Sequence, residues 1–450
     1  MRQGRKTSLV FWLALLPAAA ALRVWAAARA FAPNFDSATP GLMALDLLAG
    51  ERLPLMYYGQ AYFGALEVYV SAAWMALLGP TDLALALGPV TCSLAWIATL
   101  HALVRRLAGP RAALGAAALA AFPGWGMLWL NLTSLGGYPT TWFLGTLAWL
   151  LAVRIDQDDR PPAQSAPAVA GLGLAAGLAV WVNFQSAPLL VMALAFFAPW
   201  LARHRRAPKL LPVLIAAAAL FLLAVSPILL VSRDYTGLHT ASCNPSPAQM
   251  LEHASITLIK ALPPVLLGPA RESSAAVVLL FILLAAAAVL RLRCPAARTL
   301  AGRSPWLVAA VFLFFFLPHP MAAEGGSRYL LTTLVWLLIG LLAWPLEDAR
   351  PTMRRAAAGL LALWIALNLL HVFPAVKQSA ERRAQRVTER ERAVAAARST
   401  GAPAVELVGG YIFGHEGQVF SWAAQDELPF VSVYDERRVW LAQELEAMEQ

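Results

Sequence analysis

Asp36 stands in Pro-Asn-Phe-Asp-Ser-Ala-Thr-Pro, a few residues beyond the first long apolar run, with Pro33 and Pro40 restricting the backbone on either side. A carboxylate held there can take a proton from an acceptor hydroxyl or amine as a general base. The same residue could instead cap a helix starting near Pro40, or solvate a loop. Arg328, followed by Tyr329, stands at the start of a late apolar run. A guanidinium there can grip a phosphate through paired hydrogen bonds, or merely snorkel at a membrane surface. Glu67 lies in an otherwise apolar stretch and faces a cavity or caps a contact between helices. Tyr58, Gln60 and Tyr62 precede it, and His319 lies before Arg328. His319 and His239, taken singly, fit hydrogen-bonded structural roles.

The elements that must position these groups follow from composition. Of 450 residues, 59% are hydrophobic and 14% charged, against about a quarter charged in a soluble domain. Mean hydropathy is +0.61. That excess needs lipid as a second apolar solvent. The expected fold is an all-α polytopic membrane protein, with about eleven spans of roughly 20 residues each. They fall near 8–30, 82–104, 112–131, 138–153, 167–184, 186–202, 210–232, 274–290, 305–318, 329–346 and 356–374. The first run could also be read as a cleaved signal peptide; an uncleaved span is expected.

The net charge of +9 does not imply nucleic acid, because the cations sit in short clusters between apolar runs. Arg2, Arg5 and Lys6 precede the first span. Arg105, Arg106 and Arg111, then Arg154 and Arg160, then Arg203, Arg205, Arg206 and Lys209 occupy alternate loops. Arg291, Arg293, Arg298 and Arg303, then Arg350, Arg354 and Arg355, continue the pattern. By the positive-inside rule these loops and the N-terminus are cytoplasmic. Residues 61–79 must then not cross, so they are expected as a helix on the outer surface, after a shorter helix at 40–49. The first external loop is 31–81. Domain 1–374 is membrane-embedded. Residues 375–450 form a small external α/β segment, with a charged helix over 377–398 and strands in VELVGGYIF and LPFVSVYD. The arginine-rich, lysine-poor composition points to a GC-rich bacterial genome and a bacterial inner membrane.

Polar residues gather in the expected external loops, which favours chemistry on that side. Two patterns look functional and are set aside. Asp156-Gln-Asp-Asp159 contains a D-x-D, but it lies in an arginine-flanked cytoplasmic loop and reads as solvated. Asn131-Leu-Thr133 has the glycosylation pattern but abuts a span. Three scattered cysteines have no metal spacing, and no phosphate-binding loop, dinucleotide fingerprint or zinc signature is present.

Four strings in order resemble the bacterial GT-C glycosyltransferases, the dolichyl-phosphate-mannose-protein mannosyltransferase-like proteins of family 39: FDSATPGLMALDLLAGERLPLMYYGQAYFGALEVY, LGGYPTTWFLGTLAWLLAVR, GLGLAAGLAVWVNFQSAPLL and EGGSRYLLTTL. The resemblance implies a multi-span fold with juxtamembrane helices in its first external loop. It implies transfer, with inversion, of a sugar from a polyprenyl-phosphate donor on the external face. Asp36 matches the family's acidic residue after the first span, its catalytic base. Many relatives carry a second acid next, where this chain has Ser37, so no metal and no other cofactor is expected. Arg328 and Tyr329 match an Arg-Tyr pair that meets donor phosphate; Tyr58, Gln60 and Glu67 match the first-loop motif and, with His319, are expected to contact substrate. The acceptor is left open among protein, lipid and glycan. The competing readings are a flippase or transporter for a lipid-linked intermediate, disfavoured by the absence of an evident repeat, and an inactive envelope-assembly scaffold.

Overall fold

Lipid offers no hydrogen bonds, so a crossing chain must satisfy its own backbone, which a helix does internally. The computed structural model describes residues 2–33, 35–58, 60–231, 246–256, 282, 285–289, 299–316, 335–348, 350–400, 405–407 and 430–432. Among these, six helices are long and apolar enough to cross a membrane: Lys6–Ala30, Asp82–Leu107, Pro162–Val182, Phe184–His204, Leu210–Leu230 and Pro351–Gln385. The protein is a multi-pass, helical membrane protein.

The chain opens with α1 (Arg2–Val10), which runs through a π-helical stretch at Phe11–Leu15 into α2 (Leu16–Ala30). The first loop holds α3 (Phe35–Ala49), β1 (Met56–Tyr57), β2 (Gln60–Gly64) and α4 (Leu66–Leu78). Next come α5 (Asp82–Leu107), α6 (Pro110–Ala121), α7 (Trp125–Leu130), α8 (Tyr138–Asp158), α9 (Pro162–Val182), α10 (Ala187–His204) and α11 (Leu210–Val231). They are followed by α12 (Pro247–Ile256), α13 (Leu300–Phe316), a π-helical and then 3-10 stretch (Ile339–Ala343, Trp344–Glu347), and α14 (Pro351–Thr400). Two short strands, β3 (Val405–Leu407) and β4 (Phe430–Ser432), pair in parallel. They fall within the two stretches expected as strands.

Local chemistry sets the boundaries. Thr81 caps α5 by accepting from the Ala84 amide at 3.2 Å, Asp82 opens the helix, and Arg105 and Arg106 close it. Acid at the start and base at the end both suit the helix dipole. Gly173 and Gly177, four apart, let α9 approach the backbone of α11 at Ala217 and Phe221, where any Cβ would collide. Small residues at this spacing are how helices associate in lipid. In the bundle's interior Trp149 and Trp336 lie with ring centroids 4.9 Å apart.

The loops segregate to two ends. At one, Arg106 pairs with Asp158 at 3.2 Å, and Arg203 pairs with Asp156 at 2.7 Å and Asp159 at 2.8 Å. Arg105 donates to Ser8 at 2.7 Å at that same end. At the other, residues 31–81, 131–137 and 183–186 meet. The expected alternation of basic and non-basic loops is therefore present as a physical polarity of the bundle.

Three expectations are corrected. Residues 61–79 are not one surface helix: 60–64 form β2, paired antiparallel with β1, and only Leu66–Leu78 is helical. That helix is not lying free either, since it packs on α5, with Gly88 leaving room for Ser71. The span at 112–131 is broken at Phe122–Gly124 into α6 and α7, because Pro123 cannot continue a helix's hydrogen bonding. Asp156 and Asp158 belong to the last turns of α8 rather than to a loop, and are ion-paired while still reached by solvent. In addition, α14 passes residue 374 without a break and runs on for 50 residues.

The broken α6 has its orphan backbone groups inside the protein, and two charged side chains meet them. Glu347 accepts from the Arg111 and Ala112 amides in its first turn. At the far end Arg23, fully enclosed, donates to the carbonyls of Ala120 at 2.8 Å and Ala121 at 3.0 Å, and to Ser93 at 2.9 Å. Arg23→Leu strands those carbonyls at about 1–3 kcal/mol each. We expect a clearly lowered thermal unfolding midpoint in detergent, with Arg23→Lys recovering part of the loss.

Candidate functional site

The first loop is bound to the bundle by directional contacts. Trp181 on α9 donates to the Leu55 carbonyl at 2.9 Å, and Gly64 leaves the space that Trp181 fills. Tyr57 shares a hydrogen bond with Ser134 at 3.2 Å. Tyr69 on α4 donates to the Pro54 carbonyl at 2.7 Å. The loop is tied to itself as well: Tyr58 donates to Asp46 Oδ2 on α3 at 2.6 Å. Burial and that carboxylate together raise the Tyr58 phenol above its ordinary range. The result is a deck of α3, hairpin and α4 at the non-basic end of the bundle.

Asp36 is in the first turn of α3, which follows the first span after a short connection. Helix α3 begins at Phe35, earlier than the expected start at 40, so Asp36 is on the helix rather than before it. Gln60 opens β2, beside Tyr57 in the hairpin register. The deck thus brings Asp36, Tyr58, Gln60 and Glu67 onto one assembly. His319, Arg328 and Tyr329 lie outside the described residues.

Glu67 is fully buried in the first turn of α4. Thr140, in the first turn of α8, donates to its Oε2 at 2.8 Å. Its Oε1 has no hydrogen-bond partner among the described residues. Burial pushes the Glu67 carboxyl up to about 7, with the Thr140 and Ser134 hydroxyls pulling the other way. The group is therefore mostly uncharged between about pH 4.5 and 7, where an ordinary carboxylate is already ionised.

Two of the strings that carry the family resemblance meet beneath the deck. Gly136 and Gly137 take left-handed angles (φ +63 and +64) that turn the chain into α8. Phe63 of β2 packs against Gly136. Asn183, just past α9, donates to the Gly136 carbonyl at 3.0 Å and accepts from the Gln185 amide at 2.9 Å. Gln185 Nε2 reaches the Tyr138 hydroxyl at 3.4 Å. Asn131, the pattern-matched glycosylation residue, is fully buried here with both amide atoms unpartnered among the described residues, so no sugar can be attached to it in this fold.

Sequence reasoning did not single out Arg23, Tyr57, Thr140 or Asn183. Arg23 carried a signal, a cation in the middle of an apolar run. Tyr57 is one of several polar residues of the first loop, and Thr140 and Asn183 are ordinary polar residues at helix ends; only their pairing across 47 to 77 positions marks them.

Residues 66–230 match the family model of dolichyl-phosphate-mannose-protein mannosyltransferase. The crystal structure of ArnT from Cupriavidus metallidurans in the apo state is similar over 96% of this chain and 88% of that one, at 14% identity and a TM-score of 0.63. The same protein bound to undecaprenyl phosphate is similar over 96% and 87%, at 14% identity and a TM-score of 0.62. No curated protein matches the chain. The chain thus resembles dolichyl-phosphate-mannose-protein mannosyltransferase in sequence over 66–230, and shares its fold with ArnT over nearly the whole length.

The Glu67 carboxyl sets a sign for pH dependence. Its pKa is higher folded than unfolded, so the unfolded chain ionises first as pH rises. Stability is expected to fall between about pH 4.5 and 7 and then level off. Glu67→Gln should flatten that slope in thermal unfolding series across the interval.

Proposed function

We propose that this protein is a membrane glycosyltransferase that moves a sugar from a polyprenyl-phosphate donor to an acceptor, at the deck end of the bundle. What carries the reading is the place of Asp36: in the first turn of a helix directly after the first span, on a deck clamped to the bundle. The match over 66–230 and the fold shared with ArnT, whose crystal structure holds undecaprenyl phosphate, support the donor class. The deck end is the external, periplasmic face of a bacterial inner membrane, with the N-terminus cytoplasmic and residues 375–450 external. The arginine-rich loops at the opposite end support that orientation.

In this mechanism the acceptor's oxygen or nitrogen attacks the anomeric carbon from the face opposite the phosphate, so the configuration inverts. Asp36 takes the acceptor's proton as the new bond forms. The bond from the anomeric carbon to the phosphate oxygen breaks, and its electrons leave on the lipid phosphate. Arg328, with Tyr329, stabilises the charge that grows there. A phosphate is already a good leaving group, so no protonation of the leaving oxygen is required. Tyr58, Gln60 and His319 are assigned to substrate contacts. No metal or cofactor takes part, and the acceptor is a protein, lipid or glycan.

Asp36→Asn should lower transfer from a polyprenyl-phosphate sugar by about 100-fold or more, the usual worth of a general base, with the unfolding midpoint unchanged. Full activity in that variant removes Asp36 from the chemistry. Arg328→Ala should raise the apparent donor KM by about tenfold or more, the scale of a lost charge-assisted contact. An unchanged KM returns Arg328 to an interfacial role.

A further inference from the structure

Glu67 is expected from the sequence among the substrate contacts, but its carboxyl is fully enclosed, so it is given no part in the chemistry above. It sits, however, where the deck meets the bundle. Its helix, α4, packs on α3, which carries Asp36, and begins two residues after the hairpin ends. Its hydrogen-bond donor, Thr140, belongs to α8, a core helix. An apolar side chain of similar size would fill the same space without the cost of burying a carboxyl. What a carboxyl adds is direction. Apolar contacts between α4 and the bundle tolerate sliding, whereas one short hydrogen bond fixes both height and rotation. The groups facing it are the Tyr57 phenol from β1, the Cys92 thiol from α5, and the Ser134 and Thr140 hydroxyls.

We propose that Glu67 is a positioning residue: by accepting from Thr140 it fixes the deck against α8 and so sets where Asp36 stands relative to the bundle. The deck's other ties run to different elements. Tyr57–Ser134 and Trp181–Leu55 hold the hairpin, and Tyr58–Asp46 holds the hairpin to α3. Helix α4 itself is also held to α5, by Ser71 on the Leu85 carbonyl at 3.1 Å and Trp74 on Thr91 at 2.9 Å; of these bonds, Glu67–Thr140 is the one that ties it to α8. The catalytic consequence rests on the reading of Asp36 as the base; the geometric part does not.

The test separates the two. In the full-length chain with Cys92, Cys243 and Cys294 changed to alanine, Ala38→Cys reports on α3, because residue 38 is fully buried two positions after Asp36. Its labelling by a water-soluble maleimide should quicken about tenfold when Thr140→Val or Glu67→Leu is added, the scale of one net hydrogen bond. Glu67→Gln keeps a carbonyl acceptor for Thr140 and should leave labelling slow. In transfer assays Thr140→Val should lower kcat about tenfold with donor KM unchanged, and Glu67→Gln should keep kcat close to that of the unchanged chain. Unchanged labelling in Thr140→Val, which is nearly isosteric and spares the fold, overturns the proposal. A raised donor KM in Glu67→Gln also overturns it, by making Glu67 a substrate contact. If labelling behaves as expected while Asp36→Asn stays fully active, the general-base reading falls and the positioning role stands.

Discussion

A backbone group without a hydrogen bond cannot be left in an apolar medium, and α6 is where this chain meets that constraint most sharply. At 12 residues it spans about 18 Å, so neither of its ends reaches far into water. Glu347 supplies the anion for its first turn and Arg23 the cations for its last carbonyls. Each sign matches the helix dipole it faces. The two side chains come from opposite ends of the sequence. Arg23 fixes the first span to α6, and Glu347 fixes the segment before α14 to the same helix. Gly109, at φ +123, clears the space that the Glu347 carboxyl occupies. The break after α6 can then exist, and α7 is free to bring Trp129 to 6.3 Å from Phe31, at the root of the deck.

The deck is a second answer to the same constraint. A 50-residue excursion between two spans could have remained a solvated loop. Instead its hairpin, two helices and tyrosines close most of their polar groups on one another and on α8 and α9. The left-handed glycines at 136 and 137 and the side chain of Asn183 turn two ordinary helix connections into the floor on which the deck rests.

Much of this was legible in the sequence. Apolar length located the six spans found among the described residues, and the arginine clusters divided the described loops into two sets, because both signals are local and strong. The strands in the tail were legible for the same reason. The hairpin over 56–64 was not, since AYFGALEVY reads as a continuous apolar helix and only pairing with Met56 and Tyr57 turns its first half into a strand. The end of the 112–131 span was signalled by Pro123 but masked by the apolar residues around it. At the site, Asp36 and Glu67 stood out as acids near apolar runs. Their different surroundings did not stand out, because the burial of Glu67 depends on Thr140, 73 positions away.

Helix α14 has a geometric property that no other described element shares. Fifty residues make a rod about 75 Å long, more than twice the roughly 30 Å of a bilayer's hydrocarbon core. Arg383, about two thirds of the way along, ties it to Ala28 and Asp82, at the end of the bundle where the first loop begins. A rod of that length is a lever: turning it by about 10° about Arg383 moves the Thr400 end, about 26 Å away, by roughly 4 Å. Because the thickness of the surrounding lipid influences how far a helix leans, the composition of the bilayer becomes a force acting on whatever follows Thr400.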